Sequence, residues 1–268
     1  MKTVLVTGAT DGIGKKMAEL LAIKGYRVIV HGRNNQRVKE IQNFIIQSTG
    51  NKQIESIVAD FTSFQRISDM VSCLKEKRLV PDILVNNAGI FESEKIILPN
   101  AIEKTFMVNY LAPYYLTRLL LPDMLMKKSP RIINVSSMAQ IGTVDFNNLM
   151  GLKKFDGYEA YALSKLCNVL FTYYLHRSVK PPNMTVLCLH PGVISTKLLH
   201  TGWGEGGAPV LQGANRVVYA IEQPGNEVDG KYLLNNQPSK SAAISYDVRI
   251  QERLWNISAQ LCNLSSNK

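Results

Sequence analysis

The feature that most constrains the fold of this chain is a rhythm of short, unbroken apolar runs alternating with helix-length stretches. The runs fall at 3–7, 27–31, 54–59, 83–86, 132–135, 184–189 and 232–234, and helices are expected at 13–24, 36–48, 64–77, 102–127 and 158–179. A strand with one wet face alternates apolar and polar residues. These runs do not, so both of their faces must be covered. Such an alternation gives a parallel sheet with helices on both sides, joined by right-handed crossovers. Pro113 and Pro122 lie inside the fourth helical stretch and are expected to bend or divide it. No Pro/Gly/Ser linker and no internal repeat breaks the series, so residues 1–268 read as one α/β domain, long enough for a large core.

Composition removes several function classes. Hydrophobic residues make up 46% and charged residues 19%, which is globular rather than disordered. The net charge of +10 raises the question of nucleic acid, but lysines and arginines are scattered, with pairs such as Lys15–Lys16, Lys127–Lys128 and Lys153–Lys154. No long basic run, RNP pattern or zinc-finger spacing is present, so no nucleic-acid partner is expected, and the charge reads as a general surface property that attracts an anionic cofactor. The four cysteines, Cys73, Cys167, Cys188 and Cys262, fit no metal spacing and read as reduced thiols in the cytoplasm. Lys2 leads directly into the first apolar run, so no secretory leader is expected, and the sequons at Asn183, Asn256 and Asn263 carry little meaning. The apolar helix at 158–179 holds Lys165, Asn168, His176 and Arg177, which makes it a buried or interface helix and not a membrane span.

The first run ends in TGATDGIG, where Gly8, Gly12 and Gly14 precede a helix. A glycine lets the chain turn sharply, another lets backbone approach a pyrophosphate, and the helix N-terminus offers free N–H groups. This is the dinucleotide end of a Rossmann-type, doubly wound parallel sheet, with Thr10, Asp11 and Ile13 completing the turn. An NAD site usually carries an acidic residue about twenty residues on, at the end of the second strand. Here the sequence is VIVHGRNNQR, with Arg33 and Asn34 and no carboxylate before Glu40. A guanidinium binds a 2′-phosphate, which a carboxylate would repel, so the cofactor expected is NADP(H). Asp60, followed by Phe61, stands at the third strand end, where a carboxylate can accept from an adenine amino group. Asn87, Ala88 and Gly89 follow the fourth, where small residues let a ribose lie against backbone.

Further along, Tyr161 and Lys165 stand four residues apart on one helix face, and Ser136–Ser137 closes the fifth strand. TGATDGIG, NNAG, NVSS, Tyr161-x-x-x-Lys165 and His190-Pro191-Gly192 occur in the order that resembles the short-chain dehydrogenases/reductases, over essentially the whole chain. DFNNL, YALSKLCNVLFT and RLWNIS are most similar to the retinol-dehydrogenase-like branch, whose members often have an N-terminal membrane anchor that is not expected here.

The resemblance implies a role for each matching position. Tyr161 is implied as general acid/base, Ser137 as the group that holds the substrate oxygen, and Lys165 as the partner of the nicotinamide ribose that favours tyrosinate. Moving a phenol from its ordinary pKa of about 10 to near 7 takes roughly 4 kcal/mol. Asn109 is implied to hold a water through its backbone carbonyl, linking Lys165 to solvent. Pro191, Gly192, Ile194 and Thr196 are implied at the nicotinamide carboxamide and phosphate. His190 lacks a second ligand at useful spacing and reads as a packed histidine, and no metal is expected.

Two features depart from the family pattern. Asp11 stands where some NADP-dependent relatives carry a basic residue, and the stretch between Ser137 and Tyr161 is longer than usual. Segments 138–157 and 197–215 are therefore expected to cover the substrate. Residues 201–213, with five glycines, read as either a mobile lid or an ordinary surface loop. Phe146, Leu149, Leu198, Leu199 and Trp203 point to a lipophilic small-molecule substrate. The function expected is NADP(H)-dependent interconversion of a carbonyl and an alcohol, in a homodimer or homotetramer built on the 158–179 helix. Rivals are a same-fold epimerase or dehydratase, and a catalytically silent NADP(H) sensor or scaffold.

Overall fold

The computed structural model describes residues 1–265. The chain runs β1 (Thr3–Val6), α1 (Gly12–Ile23), β2 (Arg27–Gly32), α2 (Asn35–Thr49), β3 (Ile54–Val58), α3 (Phe64–Glu76) and β4 (Ile83–Asn86). It continues with α4 (Lys104–Phe106), a π-helical turn (Met107–Leu111), α5 (Ala112–Met124), β5 (Arg131–Val135), α6 (Gly157–Ser178) and β6 (Thr185–His190). The last third holds α7 (Lys197–Trp203), α8 (Val210–Glu222), α9 (Gly225–Val228), β7 (Tyr232–Leu234), β8 (Gln237–Ser239), a 3-10 turn (Ala243–Tyr246) and α10 (Val248–Leu261).

The sheet order is β3-β2-β1-β4-β5-β6-β7-β8. β1 to β7 are parallel, and β8 returns antiparallel from β7. The direction of winding reverses between β1 and β4, and a crevice at that switch is where such sheets bind ligands. The unbroken apolar runs are explained by two cores. Val4, Val6, Val28, Val30, Ile83 and Val85 face α1, α2 and α8, whereas Leu5, Ile29 and Leu84 face α3, α5, α6 and α10. Consecutive residues feed opposite faces, as strand geometry requires.

One expectation is modified, and two further regions gain detail. The stretch at 102–127 is divided into α4, the π turn and α5, and Pro113 is the reason: it stands at the start of α5, and without an N–H it cannot donate to the carbonyl of Asn109. The ladder shifts to an i→i−5 bond, with the Ala112 N–H donating to the Met107 carbonyl. Pro122, in contrast, stands inside the last turns of α5 without dividing it. Within 201–213, α7 supplies the first three residues and α8 the last four, which leaves 204–209 as the connection between them. Leu166, Leu170, Phe171 and Tyr174 of α6, the helix on which an oligomer was expected, are buried in the chain's own core, where Tyr174 and Phe171 stack on Trp255 of α10. Among the described residues, no helix is long and apolar enough to cross a membrane.

Candidate active site

The turn after β1 is held by contacts that leave no room for side chains. The Thr7 hydroxyl donates to the Val85 carbonyl and accepts from the N–H groups of Asn87 and Ala88, which ties β1 to the end of β4. Asn87 Nδ2 donates to the Thr7 carbonyl at 2.8 Å. A Cβ on Gly8 would lie 2.8 Å from Ala88 Cα, and one on Gly14 would lie 2.2 Å from the Gly8 carbonyl oxygen. Gly8 and Gly12 also have positive φ, a conformation in which other residues are strained. The first ladder bond of α1 runs from Lys15 N–H to the Asp11 carbonyl, so the N–H groups of Ile13 and Gly14 are left over at the helix start. The Asp11 carboxylate caps the Gly12 N–H at 2.7 Å, and so occupies one donor that an anion could have taken. Thr10 packs beside Gly32, at the end of β2.

His31 supports this turn from below, and sequence reasoning missed it. Its Nδ1 accepts from the Gly8 N–H at 3.2 Å, so its Nε2 carries the proton and donates to the Ala59 carbonyl at 3.1 Å. The ring stacks on Phe61 with centroids 4.3 Å apart. Burial pushes the imidazole pKa down to about 4, which keeps the ring neutral and the acceptor available. The Phe61 side chain is therefore part of this support. Asp60 is exposed and accepts from the Thr62 N–H and hydroxyl. Arg33 is exposed just past β2, and Asn34 caps α2 by accepting from the Arg37 N–H.

On the other side of the switch, Ser136 and Ser137 separate into two roles. The Ser136 hydroxyl is buried and donates to the Lys165 carbonyl at 2.7 Å. The Ser137 hydroxyl accepts from the Ala139 N–H at 3.0 Å, so its own hydrogen is free to be donated. Tyr161 is buried and Tyr158 half-exposed, and the former is the tyrosine beside Ser137. Burial pushes the Tyr161 phenol up to about 12, and hydrogen bonding with Ser137 opposes that rise. Lys165 Nζ lies 5.5 Å from the Tyr161 ring centroid and donates to the Val135 carbonyl at 3.1 Å, while its own pKa is lowered to about 8 by burial.

Asn109 lies in the π turn with its side chain fully engaged. Oδ1 accepts from the Ile90 N–H, and Nδ2 donates to the Ile90 carbonyl and the Ser164 hydroxyl. Its backbone carbonyl, freed by Pro113, accepts from Asn168 Nδ2 at 2.9 Å. A proline four residues after an asparagine was the available signal for that free carbonyl. Gly89 stands close to both Asn109 Oδ1 and Lys165 Nζ.

After β6, Gly192 has φ +108, and Arg216 of α8 donates to the Pro191 carbonyl at 3.0 Å. His190 is buried with a pKa lowered to about 4, first by burial and then by the charges of Arg216 and Lys165. Ile194 is buried against Gly213, and Thr196 caps α7 with its methyl group beside Gly12. The two sides of the crevice thus meet at Thr196 and Gly12. Above Tyr161 lies an aromatic cover absent from the sequence reading apart from Trp203. The Trp203 ring stands 5.3 Å from Tyr161, 4.9 Å from Phe91 and 6.0 Å from Tyr158.

A glycine turn at the sheet switch, with a tyrosine, a serine and a buried lysine across the crevice, agrees with the comparisons. The profile of the family described as short chain dehydrogenase matches residues 2–203. The chain belongs to the short chain dehydrogenase family. Human polyprenol dehydrogenase is 32% identical over 279 residues, covering 97% of this chain and 84% of the relative. Human retinol dehydrogenase 13 is 33% identical over 283 residues, covering 99% of this chain and 86% of the relative. A crystal structure of an uncharacterized protein from Mycobacterium paratuberculosis superposes with TM-score 0.83 at 26% identity, covering 100% of this chain and 96% of that one. This short chain dehydrogenase falls on the retinol-dehydrogenase-like branch, and it is an oxidoreductase of CH–OH and C=O groups.

Proposed function

We propose that this protein interconverts a lipophilic aldehyde or ketone and its alcohol with NADP(H), using Tyr161 as general acid/base. The observation that carries the reading is the meeting of the Tyr161 phenol with a Ser137 hydroxyl whose acceptor side is already occupied by Ala139. Ser137 therefore donates to the substrate oxygen, and Tyr161 delivers a proton to that oxygen in reduction and removes it in oxidation. A bound nicotinamide supplies or accepts the hydride at its C4.

The residues fit such a cofactor. A tight turn in which Gly8 packs on Ala88 and Gly14 on the Gly8 carbonyl, with the Ile13 and Gly14 N–H groups free, suits a pyrophosphate. Lys165 has a single carbonyl acceptor for three donor positions, which leaves donors for ribose hydroxyls. Arg33, exposed at the end of β2, supports the phosphorylated cofactor, and Asn34, Asp60, Asn87, Ala88, Gly192, Ile194 and Thr196 complete the lining. Segments 138–157 and 197–215 cover the substrate, with Trp203 as their inner face. Two relatives bear the names of polyprenol and retinol, and a lipophilic substrate for this chain agrees with them. The free cysteines suit a reducing compartment such as the cytoplasm.

The test begins with fluorescence titration of NADPH and NADH. NADPH is expected to bind more tightly, and Arg33→Ala to weaken it roughly ten- to a hundredfold while leaving NADH unchanged. Reduction is then followed by NADPH consumption over a panel of aromatic and long-chain aldehydes and ketones. Tyr161→Phe is expected to lower turnover by about 10²–10⁴ with NADPH affinity retained. Equal turnover by wild type and Tyr161→Phe would end the general-acid reading, and NADPH binding with no turnover by either on any panel member would favour the sensor.

A further inference from the structure

Ser137 is gripped from behind as well as presented in front. Its carbonyl accepts two hydrogen bonds, one from Gln140 Nε2 at 2.7 Å and one from the buried Tyr232 phenol at 3.1 Å. Tyr232 belongs to β7, which pairs with β6 and not with β5, so its side chain reaches past a whole strand to the end of β5. Burial raises the Tyr232 phenol well above its ordinary pKa, so it is a permanent donor. Gln140 is fixed at its other end, where Oε1 accepts from the Ala242 N–H at 2.9 Å, just before the 3-10 turn that leads to α10. Neither side chain was picked out by any motif.

A carbonyl oxygen has two lone pairs, and here both are taken. The peptide after Ser137 cannot rotate without abandoning a buried hydrogen bond, which is costly. That same peptide leads to the Ala139 N–H, the donor that orients the Ser137 hydroxyl. Anchoring the carbonyl therefore anchors the direction of the O–H.

We propose that Tyr232, assisted by Gln140, is a positioning residue of the reaction: it clamps the Ser137 carbonyl and so aims the Ser137 hydroxyl at the Tyr161 phenol and the substrate oxygen. The clamp rests on the reading of Ser137 and Tyr161 given above, and neither Tyr232 nor Gln140 touches the reacting atoms. It also makes β7 and the segment before α10 part of the machinery, far in sequence from the glycine turn and from Tyr161-x-x-x-Lys165.

The experiment is a double-mutant cycle of Tyr232→Phe and Ser137→Ala, read as NADPH-dependent reduction of the panel carbonyl that wild type turns over fastest. Tyr232→Phe keeps the ring and removes only the donor. In the wild-type background it is expected to lower kcat about tenfold with KM for NADPH unchanged, and in the Ser137→Ala background to cause no further loss. The pH midpoint for alcohol oxidation is expected to rise in Tyr232→Phe, because a loosened Ser137 no longer lowers the Tyr161 phenol. Unchanged kcat, or the same loss in both backgrounds, would overturn the clamp and leave Tyr232 a packing residue of β7. Should Tyr232→Phe not fold, Gln140→Met removes the other donor, with a smaller kcat loss and the same non-additivity expected; wild-type or additive behaviour overturns the clamp again. Wild-type turnover by Ser137→Ala, or none by wild type on any panel member, removes the site reading and the clamp together. A crippled Ser137→Ala beside an intact Tyr232→Phe removes the clamp alone.

Discussion

The glycine turn after β1 and the aromatic cover over Tyr161 face each other across one crevice, and they are built on opposite principles. The turn is fixed by backbone: Gly8 against Ala88, Gly14 against the Gly8 carbonyl, and Thr7 bonded to three backbone groups of β4 and its loop. The cover is made of side chains from three distant segments, with Phe91, Tyr158 and Trp203 meeting around Tyr161. Its Trp203 is carried by α7, seven residues long and followed by Gly204, Gly206 and Gly207, all with positive φ. A ligand whose shape never changes can be met by rigid backbone, whereas a substrate that enters and leaves under a cover needs a part that yields. Under the proposed function, cofactor affinity belongs to the first region and substrate selectivity to the second.

Breaking the rigid side should have the largest effect. Gly14→Ala places a Cβ within 2.2 Å of the Gly8 carbonyl and 2.6 Å of Asn87 Nδ2, with backbone as the nearest obstacle. Overpacking of this kind costs about 1–3 kcal/mol in stability, and the shifted turn should lose NADPH binding in the fluorescence titration. A variant that keeps wild-type affinity and melting temperature would show that the turn is softer than its contacts imply.

The same side should be sensitive to acid. The unfolded chain protonates His31 near the ordinary 6.5, whereas the native fold holds its pKa at about 4. The native state therefore binds fewer protons, and stability rises with pH across this window. Its contribution is complete above about 6.5 and lost progressively as pH falls to about 4, on the order of 3 kcal/mol. His190, with the same lowered value, acts in the same direction. Urea midpoints measured across that range should fall more steeply in wild type than in His31→Gln, and parallel curves would exclude His31 as a source of the acid sensitivity.

The smallest effect is expected at the cover. Trp203→Ala removes an edge-to-face contact with Tyr161, a class of contact that contributes about 0.5–1.5 kcal/mol. KM for a bulky carbonyl should rise roughly two- to tenfold, with kcat and NADPH affinity nearly constant. Trp255 is buried and Trp203 is partly exposed, so substrate-dependent changes in tryptophan fluorescence should vanish in this variant. A loss of NADPH affinity instead would mean that the two sides of the crevice do not divide the work.

What could be read from the sequence follows the same division. Gly8, Gly12 and Gly14 were legible because a close backbone approach at Gly8 and Gly14 and a positive φ at Gly12 suit glycine, so residue type reports the geometry directly. Tyr161 and Lys165 were legible because one helix turn puts them on one face. His31 was not, since a histidine within an apolar run reads as a packed side chain until β3 brings the Ala59 carbonyl to its Nε2. The raised phenol of Tyr161 was also illegible, because burial depends on Phe91 and Trp203, which no local pattern connects to it.

The sequence by itself determined the parallel sheet, the dinucleotide turn and the family chemistry, because periodicity, backbone sterics and one-turn spacings are local and survive translation into residue types. Only the tertiary structure decided what the neighbouring Ser136 does instead, which groups support the turn, and which side chains grip Ser137. Those choices arise where β5, β7, α6 and α7 converge, and a hydrogen bond between residues a hundred positions apart leaves no mark on either neighbourhood of the chain.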